Sequence, residues 1–205
     1  LDVEYHDYIP IFRYLPQTFY QTREAFLKRA FDLLFSSIVL IAGAPLFVLV
    51  AIATKLSSPG PVIFTQRRTG LMGKPFTIYK FRSMKVNAEQ RHSLGKTDDR
   101  ITKWGHFMRR TRLDEIPQFF NVLKGDMSIV GPRPLAGYDI DVLKREMPEG
   151  YRLLVSVKPG LTSVGQTVYG YASNPEQIKE RANIDLTYAP SLTEDISIIF
   201  RTVKV

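Results

Sequence analysis

Residues 33–54 read LLFSSIVLIAGAPLFVLVAIAT, a run of 22 positions without a charged side chain. A straight α-helix of that length reaches roughly 33 Å, enough to cross the hydrocarbon core of a bilayer. Near the middle of the run lies Pro45, preceded by Gly43 and Ala44. Because proline removes a helical hydrogen bond and its ring clashes with the preceding turn, we predict a sharp bend at Ala44 and Pro45.

Basic residues flank both ends of the apolar run: Arg23, Lys28 and Arg29 before it, and Lys55, Arg67 and Arg68 after it. A spanning helix would leave one of these two sets outside the cell, against the usual retention of Lys and Arg on the cytoplasmic side. The flanks therefore favour a re-entrant helix-break-helix that enters and leaves the membrane on one side. A kinked spanning helix and a buried core helix are the alternatives.

The first helix of this hairpin is predicted to begin at Thr22, whose hydroxyl group can cap it. Apolar residues recur at helical spacing over positions 26–34. The opposite stripe, formed by Arg23, Lys28 and Asp32, is expected at the lipid headgroups.

The positive charge of the chain is concentrated in one segment. Residues 55–112 carry 14 basic and 3 acidic residues, and the whole chain has a formal net charge of +8. Such a segment attracts polyanions: nucleic acid, an anionic membrane or phosphorylated substrates. The chain has no cysteine, which excludes disulfide frameworks, thiol nucleophiles and Cys-based metal sites.

We predict an α+β fold in three parts. Residues 1–21 form an interfacial or linker segment, residues 22–56 form the re-entrant membrane helix bent at Pro45, and residues 57–205 form a helix-rich cytosolic catalytic domain. Residues 62–65 and 76–81 are predicted to pair as a small β-hairpin.

The remaining elements follow from helical periodicity and from glycine and proline punctuation. Residues 86–100 are polar and are expected to form a loop, and residues 158–160 a turn. Gly125 is expected to end a helix. Helices are predicted over 101–112, 115–124, 138–156 and 175–188, with the apolar residues 195–205 at the membrane surface.

Two basic residues follow the apolar face of the second predicted strand. In a strand, Phe76, Ile78, Lys80 and Arg82 share one face, because side chains alternate between the two sides. Lys80 and Arg82 would then lie side by side. An anion site and a pair of solvated edge charges are both consistent with this pattern.

The segment Arg109-Arg110-Thr111-Arg112-Leu113-Asp114-Glu115 places two adjacent carboxylates after three arginines. Adjacent carboxylates raise each other's pKa, whereas nearby arginines lower it. Both carboxylates are therefore expected to be ionised at pH 7, which suits a nucleophile or a metal ligand better than a general acid. The alternative is a helix-capping role for the pair.

Further along the chain, Gly131-Pro132-Arg133-Pro134 holds one arginine in a backbone restricted by two prolines. A guanidinium group positioned in advance is a good clamp for phosphate. The alternative is a structural arginine that pairs with a surface acid.

Five segments in this order resemble the bacterial sugar transferase family, the monotopic polyprenyl-phosphate phosphoglycosyl transferases. The resemblance covers about residues 25–205 and is most specific in its middle. Its segments are KRAFDLLFS (28–36), PVIFTQRRTG (61–70), FTIYKFRSM (76–84), RRTRLDEIPQFFNVLKGDMSIVGPRP (109–134) and KPGLTSVGQ (158–166).

The resemblance implies an enzyme that moves a sugar 1-phosphate from a UDP-sugar to polyprenyl (undecaprenyl) phosphate and releases UMP. It implies Mg²⁺, a ping-pong route with a phosphosugar held on Asp114, and an active site on the cytoplasmic face of the bacterial inner membrane. The product would enter polysaccharide synthesis, such as exopolysaccharide, O-antigen or capsule. The resemblance is compatible with a homodimer and implies no nucleic-acid partner.

By the same resemblance, Asp114 and Glu115 form a catalytic dyad, and Asp114 also touches Mg²⁺. Arg109 and Arg133 match phosphate-binding arginines, and Lys80 matches a basic active-site residue. Lys158 and Gly160 match a nucleotide contact. Lys158 departs from the family, which often has Arg there, and Lys lacks the bidentate geometry of Arg.

Three other functions fit part of the pattern. A non-catalytic, membrane-bound basic adaptor would explain the charge and the apolar run, but not the placement of Asp114, Glu115 and Arg133. A nucleic-acid binder would explain the basic segment, but the long apolar run and the absence of a recognisable motif argue against it. Another lipid-phosphate enzyme, such as a phosphatase, would need no nucleotide-sugar.

Overall fold

Two helices bent against each other begin the part of the chain that the computed structural model describes, residues 23–86, 100–169, 172 and 174–204. Helix α1 runs over Arg23–Ala42 and α2 over Ala44–Ser57. Among the described residues, no single helix is long and apolar enough to cross a membrane. By length and composition alone, the bent pair passes that test together, with an angle of 63° at the break.

The predicted bend is confirmed, and its junction lies at Gly43. Pro45 falls in the first turn of α2. A backbone N–H in that turn has no acceptor within the helix, so its absence from proline costs no hydrogen bond. A Cβ atom on Gly43 would lie 2.5 Å from the Val39 carbonyl oxygen and 2.5 Å from the Phe47 ring. The absence of a side chain at Gly43 therefore allows the tight junction.

The β-hairpin is also confirmed. Strand β1 (Ile63–Thr69) pairs antiparallel with β2 (Pro75–Phe81), in a register that places Phe64 opposite Lys80 and Arg68 opposite Phe76. The first strand continues beyond the predicted residues, to Thr69. A short 3-10 helix over Leu71–Gly73 joins the two strands.

The next elements are helical. Helix α3 covers Lys103–Arg110, a 3-10 helix covers Leu113–Gln118, and α4 covers Phe119–Lys124. Gly125 ends α4 with a φ of 88°, as its predicted capping role requires. The predicted helix over 101–112 is thus confirmed with shifted ends, whereas the one predicted over 115–124 is divided into a 3-10 helix and α4.

A second sheet was not predicted. Strand β3 (Ser128–Val130) pairs in parallel with β4 (Gly160–Thr162). The turn expected at 158–160 is wrong, because this segment is extended: the Pro159 carbonyl accepts from Ser128 N (2.9 Å), and Gly160 N donates to the Pro132 carbonyl (2.9 Å). Such short strands are too brief to show an alternating pattern.

The rest of the chain is helical. The predicted helix over 138–156 is broken at Met147, because Pro148 begins a new helix. Helix α8 (Pro175–Leu186) confirms the prediction over 175–188. These helices are α5 (Gly137–Glu146), α6 (Pro148–Val155), α7 (Val164–Val168), α8 (Pro175–Leu186) and α9 (Leu192–Lys204).

Helix α1 is tied into the protein core by two side chains that were predicted at the headgroups. Lys28 pairs with the buried Asp195 of α9 and donates to the Val130 carbonyl (3.1 Å). Asp32 accepts hydrogen bonds from Ser128 Oγ (3.1 Å) and Ile129 N (3.0 Å). The headgroup prediction is therefore wrong for Lys28 and Asp32, which satisfy the buried polar groups of β3 and α9.

Helix α9, which was expected at the membrane surface, contributes Asp195 and Ile198 to the core and leaves Phe200 exposed. The predicted cap Thr22, the segment 1–21 and most of the predicted loop over 86–100 lie outside the described residues.

Candidate active site

A pocket of about 530 Å³ lies where the β-hairpin, α3 and the 3-10 helix over Leu113–Gln118 meet. We call it the basic pocket. It brings together five of the predicted site residues and one arginine that was not predicted as a site residue: Lys80, Arg82, Arg109, Asp114, Arg133 and Arg68.

A left-handed residue sets the position of Asp114. Arg112, with a φ of 59°, ends α3 and turns the chain into the 3-10 helix. Glu115 N then donates to the Arg112 carbonyl (3.1 Å). Because a 3-10 helix has about 3.0 residues per turn, adjacent side chains point about 120° apart.

Asp114 and Glu115 consequently face different spaces. Asp114 is 7% exposed and lines the basic pocket. Glu115 lines a small neighbouring crevice, where Lys80 Nζ donates to Glu115 Oε1 (2.6 Å). Lys80 and Arg133 border both spaces. The carboxylate of Glu115 is therefore already paired, whereas that of Asp114 faces the pocket.

The surroundings shift the pKa values of the two carboxyl groups in opposite directions. Burial and the negative charge of Glu115 raise the pKa of Asp114, and together they outweigh the opposing effects of Lys80 and Arg109. Burial also raises the pKa of Glu115, but the positive charges of Lys80 and Arg133 outweigh it and leave this pKa below its ordinary value. Positive charge thus prevails at Glu115, with Lys80 as its largest source and not the preceding arginines, whereas burial prevails at Asp114.

Two arginines approach the pocket from the α2 and α3 side. Arg82 is 6% exposed, and its Nη2 donates to the Ser58 carbonyl (2.6 Å) at the end of α2. Its Nε and Nη1 are buried and have no hydrogen-bond partner among the described residues. Arg109 Nε donates to Ser83 Oγ (2.9 Å), which holds its guanidinium group at the pocket wall. The unpaired, buried donors of Arg82 suit an anion.

Arg133 enters from the loop that follows β3. Its backbone N–H donates to Asp185 Oδ2 (3.2 Å), and the preceding Gly131 N donates to the Thr162 carbonyl (3.1 Å) of β4. These two hydrogen bonds hold the loop, in addition to the restriction that the flanking prolines place on its backbone. A Cβ atom on Gly160 would lie 2.1 Å from Gly131 N, so Gly160 allows this close approach.

Arg68 was missed as a site residue, although it lies in a segment of the family resemblance. Its Nη2 donates to Gln66 Oε1 (2.6 Å), and its Nη1 donates to the carbonyl of Pro134 (3.3 Å) beside Arg133. Burial and the charge of Arg133 lower the pKa of Arg68 to about 10, so it stays protonated at neutral pH. The signal available in the sequence was the alternation along β1, which places Arg68 on the same face as Gln66.

Lys158 is not among the residues that line the basic pocket. A Cβ atom on Gly125 would lie 3.8 Å from Lys158 Nζ and 3.5 Å from Arg29 Nη2. The side chain of Lys158 therefore points towards α1 and the end of α4. The structure does not bring Lys158 together with Asp114, and the nucleotide contact suggested for it stays a prediction.

The carboxylates of the site fit a hard cation only with help from a substrate. Within the described part of the chain, no three His, Cys, Asp or Glu side chains converge as a metal site. Mg²⁺ is commonly held by one or two carboxylates together with substrate phosphates and water. Asp114, which faces a pocket lined with cationic side chains, fits that arrangement.

Comparison with known proteins gives one family. The family model described as bacterial sugar transferase matches residues 23–205. A UDP-glucose:undecaprenyl-phosphate glucose-1-phosphate transferase of Escherichia coli K12 is 46% identical over 86% of this chain and 39% of its own length. A UDP-N-acetylgalactosamine-undecaprenyl-phosphate N-acetylgalactosaminephosphotransferase of Aeromonas hydrophila is 42% identical over 88% of this chain and 43% of its own length.

A shorter relative matches almost end to end. The exopolysaccharide production protein PSS of Rhizobium leguminosarum is 39% identical over 86% of this chain and 93% of its own length. By contrast, the chain spans about two fifths of the two longer relatives. The region they share with it contains every residue of the basic pocket.

Proposed function

The chain belongs to the bacterial sugar transferase family, and from that premise we propose that it transfers a sugar 1-phosphate from a UDP-sugar to polyprenyl phosphate. The names of its relatives describe this reaction with undecaprenyl phosphate as acceptor. One observation carries the proposal: the carboxylate of Asp114, but not that of Glu115, lines a pocket whose walls include four arginines and two lysines, Lys80 and Lys85.

In the first step, a carboxylate oxygen of Asp114 attacks the β-phosphorus of the UDP-sugar. The bond from that phosphorus to the oxygen bridging the two phosphates breaks, and UMP leaves with the electron pair. The phosphosugar remains on Asp114 as an acyl phosphate. Arg109, Arg133 and Arg82 stabilise the charge on the phosphate oxygens, because fixed donors in a largely buried pocket act strongly on developing charge.

In the second step, a phosphate oxygen of the polyprenyl phosphate attacks the same phosphorus. The acyl–phosphorus bond breaks, Asp114 regains its carboxylate, and polyprenyl diphosphate-sugar is formed. A phosphate monoester has a second pKa of about 6, so the acceptor is already largely ionised at pH 7. Glu115, which is paired with Lys80, is therefore not required as a base; it keeps Lys80 in place.

Mg²⁺, when held by Asp114 and the substrate phosphates, would supply further neutralisation of phosphate charge. The bent pair α1–α2 is proposed as a re-entrant anchor that keeps the site at the cytoplasmic face of the bacterial inner membrane. The lipid-linked product would then serve the assembly of a bacterial polysaccharide such as exopolysaccharide, O-antigen or capsule, and the Rhizobium relative is named for exopolysaccharide production.

The decisive experiment offers the purified protein a panel of UDP-sugars with polyprenyl phosphate and Mg²⁺ and measures UMP. UDP-glucose and UDP-N-acetylgalactosamine are tested first, because the names of two relatives include them. Asp114→Asn should lower UMP release by roughly a thousandfold or more, since it removes the nucleophile. Asp141→Asn, an exposed aspartate of α5, is the matched control and should keep the rate.

The covalent step has its own test. Incubation with the UDP-sugar alone, followed by digestion and mass spectrometry, should find the phosphosugar on the peptide that contains Asp114. An adduct on another residue would contradict the nucleophile, and UMP release only when both substrates are present would contradict the ping-pong route. Release of inorganic phosphate in place of UMP would favour a phosphatase.

A further inference from the structure

A second cavity, of about 740 Å³, lies beside the basic pocket. Its walls come from both membrane-hairpin helices, from the β-hairpin and from the segment after Asp114. Residues that represent these walls are Leu40, Phe47, Ile63, Phe81, Ile116 and Phe120. We call it the apolar groove. Its volume falls within the range of about 300–1,000 Å³ that is common for small-molecule sites.

The apolar groove is continuous with the basic pocket. Ile63 of β1 and Phe81 of β2, which pair across the hairpin, line both cavities. Phe81 is buried, whereas Ile63 is 39% exposed. A single ligand can therefore extend from the pocket across Ile63 into the groove without leaving the protein surface.

The groove also adjoins the bent helical pair. Leu40 lies before the break at Gly43 and Phe47 lies after it, so the inner side of the bend forms one wall. On another wall, Phe120 of α4 is 54% exposed. An aromatic side chain that only packs in the core is usually far less exposed. The groove is thus open to the surroundings at Phe120.

The charges of the two cavities differ sharply. The basic pocket holds Asp114 among cationic side chains, whereas the groove is lined mainly by aliphatic and aromatic residues. Lys124 also borders the groove, but its ammonium group pairs with Asp126 (3.1 Å). A ligand that fills both cavities must have an anionic head and a long hydrocarbon tail.

We propose that the apolar groove binds the hydrocarbon chain of the polyprenyl phosphate acceptor while the phosphate group lies in the basic pocket beside Asp114. The inference rests on the proposed function and assigns a site to the acceptor. The UDP-sugar has no apolar part that could use the groove. In a ping-pong reaction the two substrates then share the basic pocket in turn, and the groove serves the second step alone.

Photo-crosslinking tests the site without relying on turnover. A polyprenyl phosphate that carries a diazirine in its tail is added to the full chain in phospholipid nanodiscs, and labelled peptides are identified by mass spectrometry. Labels are expected at Phe120 and on the peptide with Ile63. The matching polyprenol, which lacks the phosphate, should label these positions at least fivefold less, because it has no group for the basic pocket.

Two outcomes would overturn the proposal. Equal labelling by the polyprenyl phosphate and the polyprenol would show that the groove contacts any hydrocarbon chain of the bilayer, without selection for the phosphate. Labelling confined to other positions, with the groove protected by a second copy in a dimer, would identify a different occupant. The oligomeric state is measured by light scattering on the same sample.

A kinetic comparison separates the acceptor from the donor. Phe120→Ser should raise the KM for a long-chain polyprenyl phosphate about tenfold, which corresponds to about 1.4 kcal/mol. The KM for the UDP-sugar and the rate of UMP–UDP-sugar exchange, which need no lipid, should change less than twofold. Phe200→Ser, on α9 and 68% exposed, is the matched control and should change neither KM.

Equal losses in exchange and in lipid transfer would show that Phe120 acts on the fold or on both steps, against the proposal. The two proposals also fail separately. If the unaltered protein releases no UMP from any UDP-sugar, the transferase function is wrong, while phosphate-dependent labelling at Phe120 would still establish the lipid site. If UMP is released but the groove takes no label, only the lipid site is wrong.

Discussion

At the scale of single residues, the site depends on how two adjacent carboxylates are partnered. Glu115 is paired with Lys80 and turned away from the basic pocket, whereas Asp114 faces the pocket. The proposed nucleophile is thus the carboxylate that is not tied to Lys80, so attack does not first require that salt bridge to break. The different orientations of the two carboxylates follow from the 3-10 geometry that begins after Arg112.

The raised pKa of Asp114 predicts the pH dependence of the reaction. Only the ionised carboxylate attacks, so activity should be lost as the pH falls through this pKa, at a higher pH than for an ordinary aspartate near 3.9. Lys80→Met removes a cation that lowers the pKa of Asp114. It should therefore shift the acid limb of the kcat/KM profile for UMP release to still higher pH.

Lys74→Met, at an exposed lysine of the connection between β1 and β2, provides the control and should leave the acid limb in place. An acid limb that moves to lower pH in Lys80→Met, or does not move at all, would contradict the electrostatic role given to Lys80.

A second residue-scale prediction concerns Arg68. Arg68→Lys keeps the charge but loses the fork that bonds Gln66 and the Pro134 carbonyl, so the loop carrying Arg133 should be held less firmly. The KM for the UDP-sugar should rise roughly tenfold, since a hydrogen bond to a charged group contributes about 1.5–3 kcal/mol. Steady-state measurement of UMP release provides both kcat and KM.

Arg67→Lys is the matched substitution, because Arg67 is the neighbouring, exposed arginine of β1. A KM unchanged in Arg68→Lys, or changed equally in Arg67→Lys, would argue that Arg68 does not position the phosphate-binding loop.

At the scale of elements, the bend between α1 and α2 would decide on which side of a membrane the chain continues. Two sequence features combine there: Gly43 permits the close approach of Val39 and Phe47, and Pro45 lies in the first turn of α2, where no backbone donor is needed. A straight helix through the same residues would place Lys55 and the basic segment on the far side of a bilayer. The 63° break instead allows both ends to return to one side.

Pro45→Leu should therefore convert part of the population from a hairpin into a spanning helix. The chain has no cysteine, so single cysteines at the exposed positions Glu24 and Ser57 report sidedness without background. A membrane-impermeant maleimide should label both from one side of the membrane in the parent. In Pro45→Leu, the label at Ser57→Cys should appear increasingly from the other side.

Pro59→Leu, in the turn after α2, is the control and should retain one-sided labelling. Labelling of Glu24→Cys and Ser57→Cys from opposite sides in the parent itself would rule out the re-entrant anchor and favour the kinked spanning helix.

At the scale of the whole molecule, the bent pair α1–α2 and the part of the chain that forms the basic pocket share one core. Asp32 and Lys28 of α1 bond the three residues of β3, and Arg29 donates to the Val122 carbonyl (2.6 Å) of α4. The loop with Arg133 follows β3, and α4 follows the 3-10 helix that contains Asp114. The first helix is therefore part of the scaffold of the active site as well as a candidate anchor.

Removal of residues 23–57 should consequently unfold the remainder, because β3 and Asp195 would lose buried partners. Circular dichroism should then show no cooperative thermal transition. Asp32→Ala is the milder variant, and it should lower the free energy of unfolding by roughly 2 kcal/mol or more, since Ile129 N and Ser128 Oγ lose their acceptor.

Glu24→Ala, at an exposed position of the same helix, should leave the free energy of unfolding unchanged. A truncated chain that still unfolds cooperatively would mean that the hairpin is a detachable anchor, as the predicted boundary between residues 56 and 57 implies.

The sequence by itself was sufficient for features that depend on local pattern. The apolar run and Pro45 determined the bend, the alternation over 76–81 determined β2, and Gly125 determined the end of α4. The family resemblance identified Lys80, Arg109, Asp114 and Arg133 of the basic pocket, and strand alternation identified Arg82, whereas Arg68 and Lys85 were missed. These features need only neighbours along the chain, so that periodicity and backbone preference suffice to predict them.

Tertiary structure decided the features that depend on distant partners. It paired β3 with β4, buried Lys28 and Asp32 against α9 and β3, and placed Lys158 away from the basic pocket. It also turned Glu115 towards Lys80, so that Asp114 alone of the two carboxylates lines the basic pocket. The physical reason is that burial and pairing depend on which segments meet in space. A charged side chain next to an apolar run can suit a lipid headgroup or a buried counter-ion equally well, until the packing supplies one of them.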